Sequence, residues 1–414
     1  MNKKKDILII GGGIIGLSTA VELARRGAKV QVIEKNQIGM GCSYGNAGWL
    51  TPCFAMPLPM PGLFLKSLQW LMDPVGPLYI KPSLDPLLIR WLYQFMKSMN
   101  HEQARKAIEA MVLLSQVSLK LYRELAAEYP EISLENKGLL MVAQTAKGVE
   151  AAKEELNWVA PHQVPGQILS AEEVKNLEPS LTGKTVGGVY FPAEAHAEPF
   201  KIIQALAKKS RALGVEILEN TSVQEFRIEQ GLLRGLQTTQ GEKKAEAYVL
   251  ATGSWSGELA RKIKLSVPLL GGKGYAMILP PLKIQPKHPM MLIEKKIAIT
   301  PRENSLRIAG TLELVNQDFT ITEKRVQAIL RGSREFLPVP ENPQIQELWR
   351  GLRPCTPDGV PLIGYSAKIS NLMLACGHQM LGLQSGFGTG QLVAELMTTG
   401  SSELDRKVYD PNRF

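Results

Sequence analysis

The chain has 414 residues, 44% of them hydrophobic, with 48 Lys and Arg against 39 Asp and Glu for a net charge of +9. That length exceeds what one core usually organises, so two lobes are expected, and no run of about eighteen unbroken apolar residues is present to span a bilayer. Short basic runs such as Lys3-Lys4-Lys5 and Lys208-Lys209 lack interleaved aromatics, which argues against nucleic acid as a partner. Four scattered cysteines with no Cys-x-x-Cys pair argue against a zinc site or a disulfide scaffold and point to a reducing, cytoplasmic compartment.

In chain order, the basic start followed by an apolar run superficially matches a secretory leader. Glycines cut that run short and no small-residue cleavage site follows, so Asp6-Ile-Leu-Ile-Ile10 reads as a buried parallel strand. It runs into Gly11-Gly12-Gly13-Ile14-Ile15-Gly16, and a second apolar run, Val30-Gln-Val-Ile33, ends at Glu34. Gly11 allows the tight turn and Gly13 lets the N–H groups of Ile14 and Ile15 approach a pyrophosphate. Gly16 lets the helix, Ile14 to Arg26 with a stop at Gly27, pack close to the strand. Glu34 accepts hydrogen bonds from both ribose hydroxyls and repels a 2′-phosphate, so the expected ligand is FAD or NAD rather than NADP.

Gly39 to Gly48 is a small-residue loop with little to hold a shape unless a ligand orders it. Met56 to Met99 is rich in Pro, Leu, Met and Trp, with Pro57-Leu-Pro-Met-Pro61, Trp70, Asp73-Pro74, Trp91 and Tyr93; prolines divide it into short helices. Its apolar side chains suit packing under a second lobe or, alternatively, a peripheral membrane patch with Lys66, Lys81, Arg90 and Lys97 toward anionic headgroups. Helical spacing continues from Glu102 to Tyr129. Gly138–Ala143 and Gly187–Phe191 read as strands of another sheet, Pro199–Leu213 as a helix, and Val215–Leu218 and Thr221–Phe226 as strands. Ala245–Gly253 reads as a strand whose closing glycine lets backbone approach the ligand. Tyr275–Leu279, Ile297–Thr300, Leu306–Ala309 and Asn371–Ala375 follow as strands, and Gly386-Phe-Gly-Thr-Gly390 is expected to lead into a helix carrying Leu392, Val393, Leu396 and Met397. The fold expected is mixed α/β: a Rossmann-like dinucleotide domain of 1–55, 195–265 and 345–414, interrupted twice by a second domain of 56–194 and 266–344 on an antiparallel or mixed sheet.

Five further segments carry a resemblance: Ser43-Tyr-Gly-Asn46-Ala47-Gly48, Lys273-Gly274-Tyr275, Lys296-Ile-Ala-Ile-Thr300, Gly351-Leu-Arg353-Pro-Cys-Thr-Pro-Asp358-Gly359, and Gly377-His378 leading to Leu381-Gly382. Along nearly its whole length the chain resembles the D-amino-acid oxidase/glycine oxidase superfamily of flavoproteins, and within it the bacterial D-amino-acid dehydrogenases of the small-subunit type. The resemblance implies a noncovalent FAD and an amino-acid substrate. It also implies hydride transfer from Cα to flavin N5, giving an imine that water converts to a 2-oxo acid. Electrons would pass to a quinone or another acceptor; oxygen-using oxidation of glycine, sarcosine or D-amino acids is the alternative, and a noncatalytic FAD-binding membrane module a third.

The resemblance assigns Arg353 to the substrate carboxylate, which suits a planar two-pronged cation. It assigns Tyr275 to pocket closure, with its hydroxyl on that carboxylate, and His378 to a place along the flavin. Flavin contacts are expected from Lys35, Cys42, Ser43, Asn46, Ala47, Gly48, Val223, Gly253, Gly377, Met380, Leu381, Gly382 and Leu383, the backbone of the last two meeting the pyrimidine edge. The chain departs from the dehydrogenase pattern at Gln379-Met380-Leu381-Gly382-Leu383-Gln384, where small residues and an aromatic are usual. It departs again at Lys295, where a tyrosine is usual. Cys355 follows the dehydrogenase context rather than that of a cysteine-tethered flavin.

Overall fold

The computed structural model describes residues 5–62, 78–80, 85–315 and 317–414. Asp6–Ile10, four of its five residues buried, lies at the centre of a six-stranded sheet because it is apolar on both faces. Lys29–Ile33 and Ala247–Leu250 flank it in parallel; Glu216–Leu218 and Leu372–Cys376 extend the sheet in parallel, and Leu362–Tyr365 closes one edge antiparallel. The helix Ile14–Arg25 packs on this sheet and stops where Gly27 takes φ 84°, a left-handed stop.

A nine-stranded mixed sheet forms the second layer. Its strands run in the order Glu347–Cys355, Leu270–Leu279, Ser305–Val315, Ile297–Arg302, Met290–Leu292, Leu139–Ala143, Gly187–Phe191 and Gln167–Ser170, with Leu78–Ile80 added beside Ser305–Val315. Two features cross the domain boundaries drawn from sequence. Glu347–Cys355, placed with the dinucleotide domain by the boundary at 345, pairs instead with Leu270–Leu279. The long helix His101–Glu128 belongs by sequence to the second domain. Its buried face nevertheless lies in the core shared with Ile14–Arg25, because Ala107, Leu114 and Tyr122 pack with Leu17, Val21 and Phe387.

The glycine run 386–390 does not precede its helix; it lies inside Gly382–Thr398. Tight crossing explains this, since a Cβ on Gly388 would stand 2.4 Å from the Leu114 carbonyl oxygen and one on Gly390 would meet the Ser18 backbone at 2.5 Å. Of the Met56–Met99 segment, Lys66, Trp70, Asp73-Pro74 and Lys81 lie outside the described residues. The described part includes the helix Pro86–Ser98, which buries Leu88, Trp91 and Phe95 and exposes Leu87, Ile89, Tyr93 and Met96 beside Arg90 and Lys97.

Candidate active site

Two helix N-termini converge on one cavity of about 1500 Å³. Ile14–Arg25 begins after Gly13 and Gly382–Thr398 after Leu381, and neither of those residues supplies a side-chain cap. The positive ends of both helices, with first-turn N–H groups that have no intrahelical acceptor, therefore meet the cavity wall. Gly11, Gly13, Ile14 and Ile15 line it on one side, and Leu381, Gly382 and Leu383 on the other. Gly16 does not line it but permits the arrangement: a Cβ there would stand 1.9 Å from the Gly11 carbonyl oxygen. Gly11 itself takes φ 112° to make the turn.

At one end of the cavity Glu34 is fixed by its own backbone surroundings, accepting from Gly12 N at 2.8 Å and from Asn36 N at 3.0 Å. A carboxylate has about four acceptor positions, so capacity remains for two ribose hydroxyls. Beside it the Lys35 ammonium sits 3.7 Å from the centre of the Trp255 ring, and burial lowers its pKa. Val223 and Gly253 complete this end.

The small-residue loop Gly39 to Gly48 is tied to the first helix and to the nine-stranded sheet. Ser43 Oγ accepts from Ile14 N at 3.1 Å, and the Cys42 thiol donates to the Leu352 carbonyl at 2.6 Å. Burial pushes that thiol up to about 11, so it stays protonated. Asn46 donates to the Met380 carbonyl at 3.3 Å and accepts from Gly48 N at 2.9 Å. Thr300 donates to the Ala47 carbonyl at 2.8 Å, and Arg307 donates to the Asn46 carbonyl. These last two contacts explain why Thr300 and the Ser43–Gly48 segment occur as a set, a pairing that sequence reading missed. Gly48 and Gly377 do not line the cavity; both have positive φ, and a side chain at either would collide with Ala197 or Thr356.

Arg353 holds the other end. Its guanidinium lines the cavity and donates from Nη1 to the Thr311 carbonyl at 2.6 Å. No carboxylate pairs with it among the described residues, and burial, opposed by the neighbouring Cys355 and Cys42, lowers its pKa. An interior cation facing an open cavity without a counter-ion is a receptor for an anion.

Tyr275 also lines the cavity, and its hydroxyl is engaged by protein groups. It donates to Glu313 Oε1 at 2.7 Å and accepts from Thr322 N at 3.1 Å. The single phenolic hydrogen is directed at Glu313, and Tyr275 contributes its ring to the wall. His378 is buried and placed on the wall, with Nε2 2.9 Å from Thr389 Oγ1. With the Thr389 hydroxyl donating to the Ser385 carbonyl at 2.9 Å, its oxygen is left to accept from His378 in the tautomer that carries the hydrogen on Nε2. Burial drives its pKa down to about 3, which leaves the ring neutral.

Gln379, a departure from the dehydrogenase pattern, has a left-handed backbone at φ 51°, and its buried Nε2 lines the cavity region without a partner among the described residues. Lys295 turns away to pair with Glu335 at 2.5 Å, while Lys296 lines the cavity. Cys355 packs with Trp91, Leu270, Leu312 and Leu314 rather than on the wall, and burial pushes its thiol up to about 12, consistent with a flavin held without a covalent bond. Among the described residues no group of His, Cys, Asp and Glu could hold a metal ion, and no helix is long and apolar enough to cross a membrane. A helix start at a glycine turn, its Ile14 N–H held by Ser43, a fixed acid after the second strand and a long cavity ending at a second helix start together fit FAD.

Comparison with known proteins agrees with that fit. Residues 6–396 match the family model for FAD dependent oxidoreductase, DAO. The chain is 31% identical over 417 residues to the D-amino acid dehydrogenase of Vibrio atlanticus, covering 99% of this chain and all of that one. It is 30% identical to the D-amino acid dehydrogenase of Helicobacter pylori, covering 98% of each. Among solved structures, L-proline dehydrogenase from P. horikoshii superposes with a TM-score of 0.80 at 25% identity over 100% of this chain and 98% of that one. Glycine oxidase from Geobacillus kaustophilus superposes at 0.79 and 24% over 99% of each.

Proposed function

The chain belongs to the DAO family of FAD-dependent oxidoreductases, and from that premise we propose that it oxidises D-configured amino or imino acids to 2-oxo acids, passing the electrons to a quinone or similar carrier. The observation that carries the reading is Arg353, an interior guanidinium on the cavity wall with no carboxylate partner among the described residues. An α-amino acid offers the carboxylate it needs, in bidentate geometry.

FAD, when bound, supplies the two-electron oxidant for the Cα–N bond. The protein's own residues do the rest. Arg353 fixes the carboxylate and so orients Cα. His378, neutral and committed to Thr389, anchors the Gly377-His378 segment against the helix Gly382–Thr398 and carries no proton to or from substrate. The N-termini at Gly13 and Leu381 favour the negative charge of a pyrophosphate and of a reduced ring.

The dehydrogenase relatives support D-configuration, and the exposed face of Ile89, Tyr93 and Met96 with Arg90 and Lys97 supports contact with the inner membrane face, where a quinone would be met. Anaerobic mixing of the flavoprotein with D- and L-amino acids, glycine, sarcosine and proline derivatives tests the reading. D-amino acids should bleach the flavin fastest, and reoxidation should be faster with a soluble quinone than with oxygen. Bleaching by L-enantiomers alone, or by none of the panel, would overturn it.

A further inference from the structure

The strand Ser305–Val315 carries a defect beside Arg353. Glu313 pairs with Lys273 and Gly310 with Tyr275, so Thr311 and Leu312 together face the single residue Gly274. This is a β-bulge, a device that re-aims side chains next to sites. Its first residue has a left-handed backbone, Thr311 at φ 65°, a conformation that glycine adopts easily and a β-branched residue resists.

Two consequences follow from that one torsion. The alternation of the strand breaks: Ala309, Gly310, Thr311 and Leu312 all line the cavity, whereas a regular strand would present every second residue. The Thr311 carbonyl is turned onto Arg353 Nη1. Opposite the bulge, Gly274 leaves the room the guanidinium occupies, since a Cβ there would lie 2.3 Å from Nη1. The Thr311 hydroxyl, on a half-buried residue of this wall, makes no hydrogen bond among the described residues, so its donor and acceptor capacity is open to a ligand. Strain of this kind persists where the surroundings over-determine it, and it clusters at ligand sites.

We propose that Thr311 is a substrate-binding residue: the bulge delivers its hydroxyl into the cavity beside Arg353, where it donates a further hydrogen bond to the carboxylate that Arg353 holds. The proposal rests on the reading of Arg353 as the carboxylate anchor. It makes the anchor a composite, in which one residue aims the cation through its carbonyl and meets the same ligand through its side chain.

Three variants test it: Thr311→Val, which keeps the shape and removes the hydroxyl; Thr311→Gly, which removes the hydroxyl and relaxes the backbone; and Thr311→Ser, which keeps the hydroxyl. Each is measured as the flavoprotein for KM and kcat with the best amino-acid substrate. The Kd of benzoate, a carboxylate that is not oxidised, is read from the perturbation of flavin absorbance. The hydroxyl-free variants should raise KM and the benzoate Kd about tenfold with a smaller change in kcat, the loss of one hydrogen bond to a charged group. Thr311→Ser should stay within twofold of the parent. Values within twofold in both hydroxyl-free variants would overturn the proposal. So would an altered flavin spectrum without benzoate at unchanged KM, which would put the hydroxyl on the cofactor. If Thr311→Val does not fold, Thr311→Gly gives the same comparison. Arg353→Met run in parallel separates the two readings: raised KM there with unaffected Thr311 variants sinks the hydroxyl contact alone, and unchanged KM there sinks the anchor itself.

Discussion

The turn at Gly11–Gly16 and the bulge at Thr311 face the same cavity, yet one is built from neighbours in sequence and the other from residues far apart. At the turn, strand, glycines, helix and Glu34 lie within one short segment, and the contacts that matter are backbone approaches such as Gly16 to the Gly11 carbonyl. Around Arg353 the partners come from three strands and a distant loop: the Thr311 carbonyl, the space left by Gly274, and Cys42, whose thiol reaches the Leu352 carbonyl from 310 residues away. A local site of this kind fails when volume is added. A site assembled across a sheet fails when register or a single charge is lost, and it can fail without unfolding the protein.

The largest expected effect breaks the first region. Gly16→Ala places a methyl where no heavy atom fits, and the obstacle is backbone, which cannot rotate away. We expect a loss of about 4–5 kcal/mol, the upper end for single substitutions, seen as little folded protein and no retained FAD; a yellow protein with a parental melting temperature would refute the close approach. Next is Arg353→Met. Removing the partner of a buried charged ligand should raise KM by an amount equivalent to roughly 2–5 kcal/mol. The melting temperature should not fall, because the charge removed has no carboxylate partner among the described residues and an apolar side chain replaces a desolvated ion. Binding lost with stability kept is the signature that separates this site from the turn.

That contrast also explains what could be read from the residues alone. Asp6–Ile10, Gly11, Gly16 and Glu34 are legible because the period of the apolar residues and the places where only glycine fits are local properties. The set Ser43–Gly48, Thr300 and Arg353 is legible as motifs but not as contacts, since nothing in the chain says that Thr300 holds the Ala47 carbonyl. Gly386, Gly388 and Gly390 mislead when read as a loop: glycine interrupts a helix by propensity, but here helix crossings at Leu114 and Ser18 demand it. The partner of Tyr275 is likewise not legible, because its acceptor, Glu313, lies across the sheet. Thr311 gives no signal at all, because a threonine in an apolar strand does not announce a left-handed torsion.

Smaller effects sharpen the comparison. Glu34→Gln keeps the shape but weakens the acceptor for Gly12 N and Asn36 N, so about 1–3 kcal/mol should be lost from FAD retention and local order, checked by dialysis and flavin fluorescence. Tyr275→Phe leaves Glu313 Oε1 and Thr322 N without their shared hydroxyl, at a cost of about 1 kcal/mol in unfolding free energy. Its KM should stay within about twofold, because on this geometry the hydroxyl is not offered to substrate; a tenfold rise in KM would return Tyr275 to the carboxylate.

The smallest effect at neutral pH belongs to His378, and its sign distinguishes a structural histidine from a catalytic one. Burial takes its pKa from an ordinary 6.5 down to about 3. The unfolded chain therefore binds a proton in that interval that the folded protein does not, so folding loses stability as pH falls from about 6.5 toward 3 and gains none above it. A variant such as His378→Asn lacks this linkage. The stability of the parent minus that of the variant should be flat above about pH 7 and fall by about 1.4 kcal/mol per pH unit below 6.5. The activity of the parent should show no inflection from this ring between pH 5 and 8, because the ring is neutral throughout and its one hydrogen already goes to Thr389. A rate inflection near pH 6.5 that disappears in the variant would mean that the imidazole takes part in proton transfer, and His378 would then belong with Arg353 rather than with the frame that holds it.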